Sequence, residues 1–275
     1  MTNAKEITSP PMRYVGGKWN LAPWITSYFP PCACLVETHC GGAGVFFRLP
    51  RLPKAVVLND RNGEIINFFD VLRERRAEFI EAIDLTPYSR VEFQRALQTT
   101  DDPLERARRF YIRSLQSFSN GESDRSLNWR FQINKDSLVN RWNKTSHLWA
   151  CAQRLKAAQL ECDTASNVIE RFDDRNTLFY VDPPYVHSTR GESRIYRFEM
   201  SDDDHIALAN QLKQVQGMVV LSGYDSPLYQ ELYPNWGMVT METDTVQKTK
   251  RTECLWISPR ASAAMGYGPL FGGVS

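Results

Sequence analysis

The sequence predicts an α/β fold in which an open sheet is interrupted by a mainly helical insertion. Short apolar runs each lead to an acidic residue, at 35–37, 55–60 and 177–182. Buried strands of an open sheet end in this way where their carboxyl ends meet a ligand. Residues 76–154 instead show helical patterns without alternating strands. We therefore expect a main domain formed by residues 1–75 and 155–275, with residues 76–154 as an inserted domain.

The first motif lies at residues 13–20, where two glycines are followed by Lys18 and then by an amphipathic stretch. Glycines permit close approach of the backbone to a ligand, and a lysine at this point can reach a carboxylate or a phosphate. A simple turn before a helix explains the same residues equally well.

A glycine cluster follows the first predicted strand. Gly41, Gly42 and Gly44 lie between Glu37 and an apolar helix start, an order typical of nucleotide- or nucleoside-binding α/β folds. The spacing differs from GxGxxG, which disfavours a dinucleotide ligand. Asp60 then ends the second strand, where a carboxylate can accept hydrogen bonds from both ribose hydroxyls. It can also act as the N-cap of the next helix, and the two roles are compatible.

The insertion combines basic and aromatic residues. Between residues 106 and 156 there are eleven Lys or Arg residues and three acids, a local excess of +8. Seven aromatic residues are interleaved with them, which suits phosphate contact together with base stacking. For Arg125, Arg130 and the polar loop 117–128 we favour nucleic-acid binding. Trp142 and Trp149, seven residues apart, are better explained as parts of an aromatic core.

The most informative motif is Asp182-Pro183-Pro184-Tyr185, directly after the apolar run 177–181. Two prolines fix the backbone and remove two donors, so that the loop is stiff and presents acceptors only. Such a loop suits a ligand with an amino group, and the Tyr185 ring offers a flat face for a planar base. A strand-ending turn whose aspartate caps a neighbouring group is the alternative.

The remaining segments continue the α/β pattern. A short strand at 160–163 ends in Asp163, and a helix follows at 166–172. The polar segment 187–198, which includes Arg190, has the character of a loop beside an active site. A capped helix is predicted from 201 to about 214. Further strands are predicted at 217–224 and around 253–257.

Composition excludes several classes. The chain is 42% hydrophobic and 24% charged with a net charge of +1, so that any polyanion partner must meet a local basic face. No apolar run approaches membrane-spanning length, and the polar N-terminus is unlike a secretory signal. The six cysteines include no CxxC pair, and four scattered histidines form no metal motif. We expect reduced thiols, no metal and no membrane contact.

These motifs occur in the order found in the Dam-type (alpha-class) DNA adenine methyltransferases, and the chain resembles the phage and prophage members of that family essentially from end to end. The matching segments are the N-terminal cofactor motif at 13–18, the glycine-rich loop at 37–47, the ribose-binding acid at 58–60, the catalytic loop at 182–185 and a closing segment at 251–256. One departure is Thr38-His39, where the family usually has Pro-Phe.

The resemblance implies a Rossmann-like S-adenosylmethionine-dependent methyltransferase sheet, with the insertion as a target-recognition domain for double-stranded DNA. It implies action in the cytoplasm of a bacterial host cell, for an enzyme of host, phage or prophage origin. Cofactor contacts are expected from Tyr14, Lys18, Glu37, Gly41, Gly42, Gly44, Asp60, Asp163 and Asp182. Contacts to DNA are expected from Asn120, Arg125, Arg130 and Arg190.

The chemistry expected of the catalytic loop is methyl transfer to the exocyclic amino group of adenine. That nitrogen is a poor nucleophile because its lone pair is delocalised into the purine. Asp182 and the Pro183 carbonyl would accept its two hydrogens and so turn the lone pair towards the methyl group, while Pro184 keeps the loop stiff. The base must leave the duplex first, and Tyr185 would stack on it.

Other functions compatible with these motifs are methyl transfer to RNA or to a protein amide, and a DNA-binding regulator that has lost catalysis. Asp182 and the position of the insertion favour DNA over the first. The intact glycine and catalytic loops argue against the second. A nicotinamide oxidoreductase is disfavoured by the glycine spacing.

Overall fold

A computed structural model describes five ranges of the chain: 7–118, 127–133, 138–186, 197–244 and 250–266. Its strands are β1 (Cys34–Glu37), β2 (Ala55–Asn59), β3 (Gln159–Glu161), β4 (Thr177–Val181), β5 (Met218–Gly223), β6 (Gly237–Asp244) and β7 (Lys250–Ile257). They form one seven-stranded sheet in the order β3-β2-β1-β4-β5-β7-β6. The predicted α/β fold is confirmed.

The sheet has a topological switch point between β1 and β4. Strands β1 to β5 are parallel, whereas β7 runs antiparallel to both β5 and β6. From β1 the chain proceeds outwards to β2, and after the insertion it adds β3 beside β2. It then returns across the sheet to β4 and proceeds the other way. Open α/β sheets bind ligands outside the carboxyl ends of the strands at such a point.

Twelve helices surround the sheet in the described ranges. They are α1 (Ala22–Ser27), α2 (Gly44–Arg48), α3 (Gly63–Glu74), α4 (Arg76–Asp84), α5 (Arg90–Arg95), α6 (Pro103–Gln116), α7 (Leu138–Trp142), α8 (His147–Leu155), α9 (Ala165–Phe172), α10 (Asp202–Gln214), α11 (Pro227–Leu232) and α12 (Pro259–Ala264). Capping residues explain where some of these helices begin. Asp102 caps α6 ahead of Pro103, and Ser201 forms a capping box with Asp204 on α10.

Strand β4 shows how the sheet is held between two layers. All five of its residues are buried. Phe179 and Val181 pack into an apolar cluster with α9, α10 and α11, whereas Leu178 and Tyr180 pack into another with α1 and α12. Alternate side chains of a strand point to opposite faces, so a strand covered on both sides reads as a continuous apolar run. This is why the run was recognisable in the sequence.

The helices of the insertion share an apolar core with α2 and α3. Phe68 of α3 stacks on Tyr111 of α6 with ring centroids 6.1 Å apart, and Phe47 of α2 and Trp142 of α7 belong to the same cluster. Because this core is continuous, the inserted helices lie firmly against the strand–helix layers. The division into a main and an inserted domain stays a prediction.

Part of the basic stretch of the insertion is neutralised by glutamates of the protein itself. Four arginines that contributed to its excess charge form ion pairs with glutamates of α3, α5 and α6: Arg106 and Arg113 with Glu64, Arg108 with Glu92 and Glu105, and Arg109 with Glu105. Arg106, Arg108 and Arg113 thereby link α6 to α3 and α5, whereas the ion pair of Arg109 lies within α6. The core placement predicted for Trp142 is confirmed, but that for Trp149 is wrong, since its ring is 45% exposed beneath Arg76.

Arg154 ties the insertion to α2. This residue of α8 is 5% exposed. It donates from Nε to the Phe46 carbonyl at 3.0 Å and from Nη2 to the Leu49 carbonyl. The guanidinium also lies 5.3 Å from the centre of the Phe46 ring. Arg154 thus satisfies carbonyl groups at the end of α2, the helix that begins at the glycine cluster.

We expect Arg154→Met to lower the free energy of unfolding by about 1–3 kcal/mol, because it leaves a buried carbonyl without a donor. Chemical denaturation would measure this. Arg95→Met is the control, because Arg95 is an exposed residue whose ion pair with Glu92 contributes at most about 1 kcal/mol. Equal effects of the two substitutions would contradict the capping role.

Candidate functional site

A cavity of about 670 Å³ opens at the switch point of the sheet. It lies at the carboxyl ends of β1, β2, β3 and β4, and α10 contributes to one wall. All nine residues predicted to contact a cofactor line it: Tyr14, Lys18, Glu37, Gly41, Gly42, Gly44, Asp60, Asp163 and Asp182. Pro184 of the catalytic loop lines it as well. Its volume suits a ligand of nucleoside size.

The glycine loop is shaped by Tyr14. Gly41 has a φ of +48°, and a Cβ there would lie 2.5 Å from the Tyr14 ring. A side chain would therefore meet both backbone strain and a collision. Ala43 also adopts a left-handed φ, of +49°, directly before α2. The loop thus turns sharply between β1 and α2, and the Tyr14 ring closes over it.

Glu37 lies at the base of this loop with one unused acceptor. The side chain is 2% exposed. Burial raises its pKa to about 8, against an opposing hydrogen bond from the Phe46 amide of α2. Its Oε1 atom is buried and has no hydrogen-bond partner among the described residues. A buried carboxylate oxygen facing a cavity without a donor indicates a place for a cationic or hydrogen-bonding ligand group.

Asp60 joins the second strand to the glycine loop. Its Oδ2 accepts from the Gly41 amide at 2.9 Å and its Oδ1 from the Asn62 amide at 2.9 Å. Burial raises its pKa to about 6, and these two hydrogen bonds partly oppose the shift. The N-cap of α3 is Asn62, which accepts from Glu64. Asp60 therefore orients the loop and does not cap the helix.

Asp163 has its carboxylate committed to neighbouring groups. Oδ1 accepts from the Thr164 amide and the Asn167 side chain, at 2.7 and 2.8 Å, and Oδ2 pairs with Arg171 at 3.0 Å. Hydrogen bonds, that from Asn167 first, lower its pKa. Strand β3 ends at Glu161, two residues before the predicted end. Asp163 borders the cavity with a carboxylate that is already hydrogen-bonded.

The catalytic-loop motif brings a carboxylate, an ammonium group and an aromatic ring together. Lys18 Nζ lies 3.1 Å from Asp182 Oδ1 and 4.7 Å from the centre of the Tyr185 ring. Burial raises the pKa of Asp182 to about 6, while the charge of Lys18 acts in the opposite direction. The geometry does not show Asp182 as the cap of a turn, because its carboxylate pairs with Lys18, which is distant in the sequence.

Two residues beside this motif were not predicted. The Tyr185 hydroxyl donates to Glu253 Oε2 at 2.8 Å, and the Tyr185 ring meets the edge of Tyr224 with centroids 4.5 Å apart. Tyr224 follows β5 much as Tyr185 follows β4, which is the signal that could have revealed it. Glu253 could not be found in this way, because its placement depends on the reversed direction of β7.

His39 also lines the cavity. Its Nδ1 lies 2.9 Å from the Thr38 hydroxyl, and burial lowers its pKa to about 4. A neutral, hydrogen-bonded ring therefore occupies the position where a phenylalanine was expected from the resemblance.

A second group of residues lies on the insertion. Ser117 and Trp129 form an antiparallel bridge, and beside it Phe118, Phe131 and Ile133 are 57%, 54% and 84% exposed. Arg130 lines a small cavity together with Arg13 and Arg141. Arg13 Nη1 is buried without a hydrogen-bond partner in the described part of the chain. Asn120, Arg125 and Arg190 lie outside the described residues.

The described ranges contain no helix long and apolar enough to cross a membrane. Within the same ranges no group of three or more His, Cys, Asp or Glu side chains is arranged to hold a metal ion.

A family model and two known proteins that match this chain all carry descriptions of DNA adenine methylation. A family model described as D12 class N6 adenine-specific DNA methyltransferase matches residues 14–249. The chain is similar to the DNA adenine methylases of Salmonella typhi and of Escherichia coli strain K12. Each is 24% identical over 234 residues, which cover 81% of this chain and 83% of the relative.

The buried carboxyl groups of the cavity predict a pH dependence of stability. Glu37 ionises near 4.5 when unperturbed but near 8 in the folded chain. The folded state therefore binds more protons between these values, and the free energy of unfolding should fall as pH rises from 6.5 to 8. Glu37→Gln should flatten this slope, as measured by denaturation across that range. The exposed Glu81→Gln is the control and should leave the slope intact. A Glu37→Gln variant with the wild-type slope would refute this assignment.

Proposed function

This chain belongs to the D12 class N6 adenine-specific DNA methyltransferase family, and on that premise we propose how its residues carry out the reaction. It is an adenine-specific DNA methyltransferase. Our proposal is that it moves a methyl group from S-adenosylmethionine to the exocyclic amino group of an adenine flipped out of duplex DNA. The observation that carries the proposal is the arrangement of Asp182, Lys18 and Tyr185 beside the cavity.

The residues of the cavity fit S-adenosylmethionine. When bound, it supplies an electrophilic methyl group on a sulfonium ion. The unpartnered Oε1 of Glu37 can accept a hydrogen bond from its ammonium group, and ionisation of Glu37 would accompany that contact. Asp60 retains lone pairs for the ribose hydroxyls, since each oxygen accepts one amide. Asp163 and Gly41 line the same cavity, and we assign Asp163 to the side of the cofactor's adenine ring.

Asp182 acts as an acceptor in the proposed reaction. Its contact with Lys18 shows that the carboxylate can receive an N–H donor beside the Tyr185 ring. The amino group of adenine would donate one hydrogen to Asp182 and the other to the Pro183 carbonyl. Both bonds draw the nitrogen towards tetrahedral geometry and direct its lone pair. Catalysis then depends on position and electrostatics, with no covalent intermediate.

Lys18 keeps this acceptor charged. A buried carboxyl group tends to remain protonated, and a protonated Asp182 would lose acceptor capacity. The Lys18 ammonium also donates to the Gly16 carbonyl at 3.1 Å, which fixes it to the N-terminal glycine loop. We therefore assign Lys18 to the pocket of the target base as well as to the cofactor cavity.

We expect Asp182→Ala to abolish methyl transfer, because no other side chain replaces the acceptor. Tyr185→Ala should reduce transfer strongly without abolishing it, since a stacked base contributes about 1–3 kcal/mol. Labelled S-adenosylmethionine, duplex DNA and digestion to nucleosides would measure both. Label in methyladenine supports the proposal.

Thermal unfolding of the Asp182→Ala variant controls for a damaged fold, and its cofactor affinity, measured by calorimetry, separates a loss of cofactor binding from a loss of transfer. Wild-type-like turnover in Asp182→Ala would exclude this mechanism. Label confined to RNA controls would move the proposal to the RNA alternative.

For DNA binding we propose the surface formed by the Ser117–Trp129 bridge and the arginine cluster of Arg13, Arg130 and Arg141. Burial, followed by repulsion from Arg130 and Arg141, lowers the pKa of Arg13. In the described ranges none of the three forms an ion pair, in contrast to the paired arginines of α6. An anionic partner would relieve this repulsion, and the exposed Phe118 and Phe131 beside the bridge offer rings for base contact.

We propose that Arg141 contacts a DNA phosphate. Arg141→Gln should then weaken binding to all duplex sequences. The slope of the logarithm of the binding constant against the logarithm of the salt concentration should fall in magnitude by about one. Fluorescence anisotropy at several salt concentrations measures the slope. Arg175→Gln, an exposed arginine just before β4 at the opposite edge of the sheet, should leave the slope unchanged. An unaltered slope in Arg141→Gln would remove Arg141 from the DNA contacts.

A further inference from the structure

We propose that Glu253 is a positioning residue that holds the Tyr185 ring for the target base and keeps the Tyr185 hydroxyl away from Asp182. The inference rests on the proposed function of the catalytic loop and extends it to the closing segment 251–256, to which no role has been given. Glu253 would contact neither the base nor the cofactor. It would act only through Tyr185.

The geometry around Tyr185 is that of a ring held from several sides. Its hydroxyl donates to Glu253 Oε2 at 2.8 Å. Tyr224 packs edge-on, with an interplanar angle of 77°, and Lys18 lies over the ring. The side chain is 7% exposed, so its hydroxyl requires a protein acceptor.

The fold brings Glu253 to this place through the reversed strand β7. Gly223 of β5 pairs with Cys254 of β7, which puts Glu253 one residue further towards the carboxyl end of β5. Tyr224 leaves β5 at the same level. An antiparallel neighbour thus contributes a carboxylate to the edge of the sheet where the parallel strands end.

The catalytic loop does not by itself fix the Tyr185 ring. Pro183 and Pro184 restrict the backbone but leave the side-chain torsions of Tyr185 open. A base can stack well only on a ring whose plane is defined before the base arrives. The bond to Glu253 fixes the hydroxyl end of the ring, and the edge-on contact with Tyr224 limits rotation of the ring plane.

The same hydroxyl has a second acceptor within reach. A hydrogen bond from Tyr185 is among the influences that lower the pKa of Asp182. If the hydroxyl turned fully to Asp182, it would occupy a lone pair that the adenine amino group requires. Glu253 competes for this donor, and so leaves Asp182 available to the substrate.

The test is a double-mutant cycle of Glu253→Leu and Tyr185→Phe with methyl transfer to duplex DNA as the main measurement. Glu253→Leu should lower kcat by about 10- to 100-fold, the size expected when a reacting group is misplaced. Tyr185→Phe keeps the stacking ring and removes the competing hydroxyl. Adding it to Glu253→Leu should therefore raise kcat back to the level of Tyr185→Phe alone. Glu253→Gln retains an acceptor and should stay within about threefold of wild type.

Additional measurements separate this role from general damage. Cofactor affinity and thermal unfolding should be unchanged in Glu253→Leu, whereas fluorescence of 2-aminopurine at the target position should report altered stacking. Glu231→Leu, the same change at an exposed site on α11, should match wild type throughout. Additive effects in the cycle, or a Glu253→Gln variant as impaired as Glu253→Leu, would overturn the proposal.

Two results keep the proposal separate from the function on which it rests. An inactive wild-type protein would overturn the proposed function and this inference together. An active wild type with fully active Glu253→Leu would overturn this inference alone. If Glu253→Leu fails to fold, Glu253→Gln and Tyr185→Phe decide the question. The proposal requires Glu253→Gln to stay close to wild type in kcat, and it requires Tyr185→Phe to show altered 2-aminopurine fluorescence, because that variant lacks the same hydrogen bond.

Discussion

The burial of three carboxyl groups at one edge of the sheet is the constraint on which the site depends. Glu37, Asp60 and Asp182 follow neighbouring parallel strands, and burial raises the pKa of each. Charged groups in such a place need specific partners, or they remain protonated. Asp60 receives two backbone amides and Asp182 receives the Lys18 ammonium, whereas Glu37 keeps one oxygen unpaired. Asp60 and Asp182 are therefore already oriented by donors of the protein, whereas Glu37 can still accept a hydrogen bond.

These partners come from distant parts of the chain, so the site requires the whole fold. Lys18 belongs to the N-terminal loop, and that loop is held to the insertion by Ser114 of α6, which donates to the Arg13 carbonyl at 2.6 Å. Arg154 of α8 satisfies the end of α2. The insertion therefore supports the loop and the helix on either side of the cavity. These contacts connect the surface that we propose for DNA binding with the cavity that we propose for the cofactor.

The sequence predicted the parallel part of the fold and the lining of the cavity, because both depend on local signals. Strand ends, glycines and prolines mark Glu37, Gly41, Asp60 and Asp182 without reference to the rest of the chain. Tertiary pairing could not be predicted in this way. The arginines of α6 were indistinguishable from a DNA-binding stripe until their pairing with Glu64 of α3, Glu92 of α5 and Glu105 of α6 itself was visible. Strand β6 and the placement of Glu253 depend on the direction of β7, which no local pattern specifies.

The internal pairing of those arginines changes how a chain with a net charge of +1 meets DNA. If the whole basic stretch faced the duplex, binding would rest on many phosphate contacts and depend steeply on salt. With four arginines committed to glutamates, our proposal assigns the attraction to a few cations that form no ion pair within the described ranges, among them Arg13, Arg130 and Arg141, beside exposed rings. A base-flipping enzyme must unstack its target and later release it. A small charged set next to aromatic side chains meets both requirements, since stacking stabilises the distorted state while limited phosphate contact keeps release fast. In the proposed mechanism the acceptors of the Asp182 loop require a base with an exocyclic amino group, which thymine lacks.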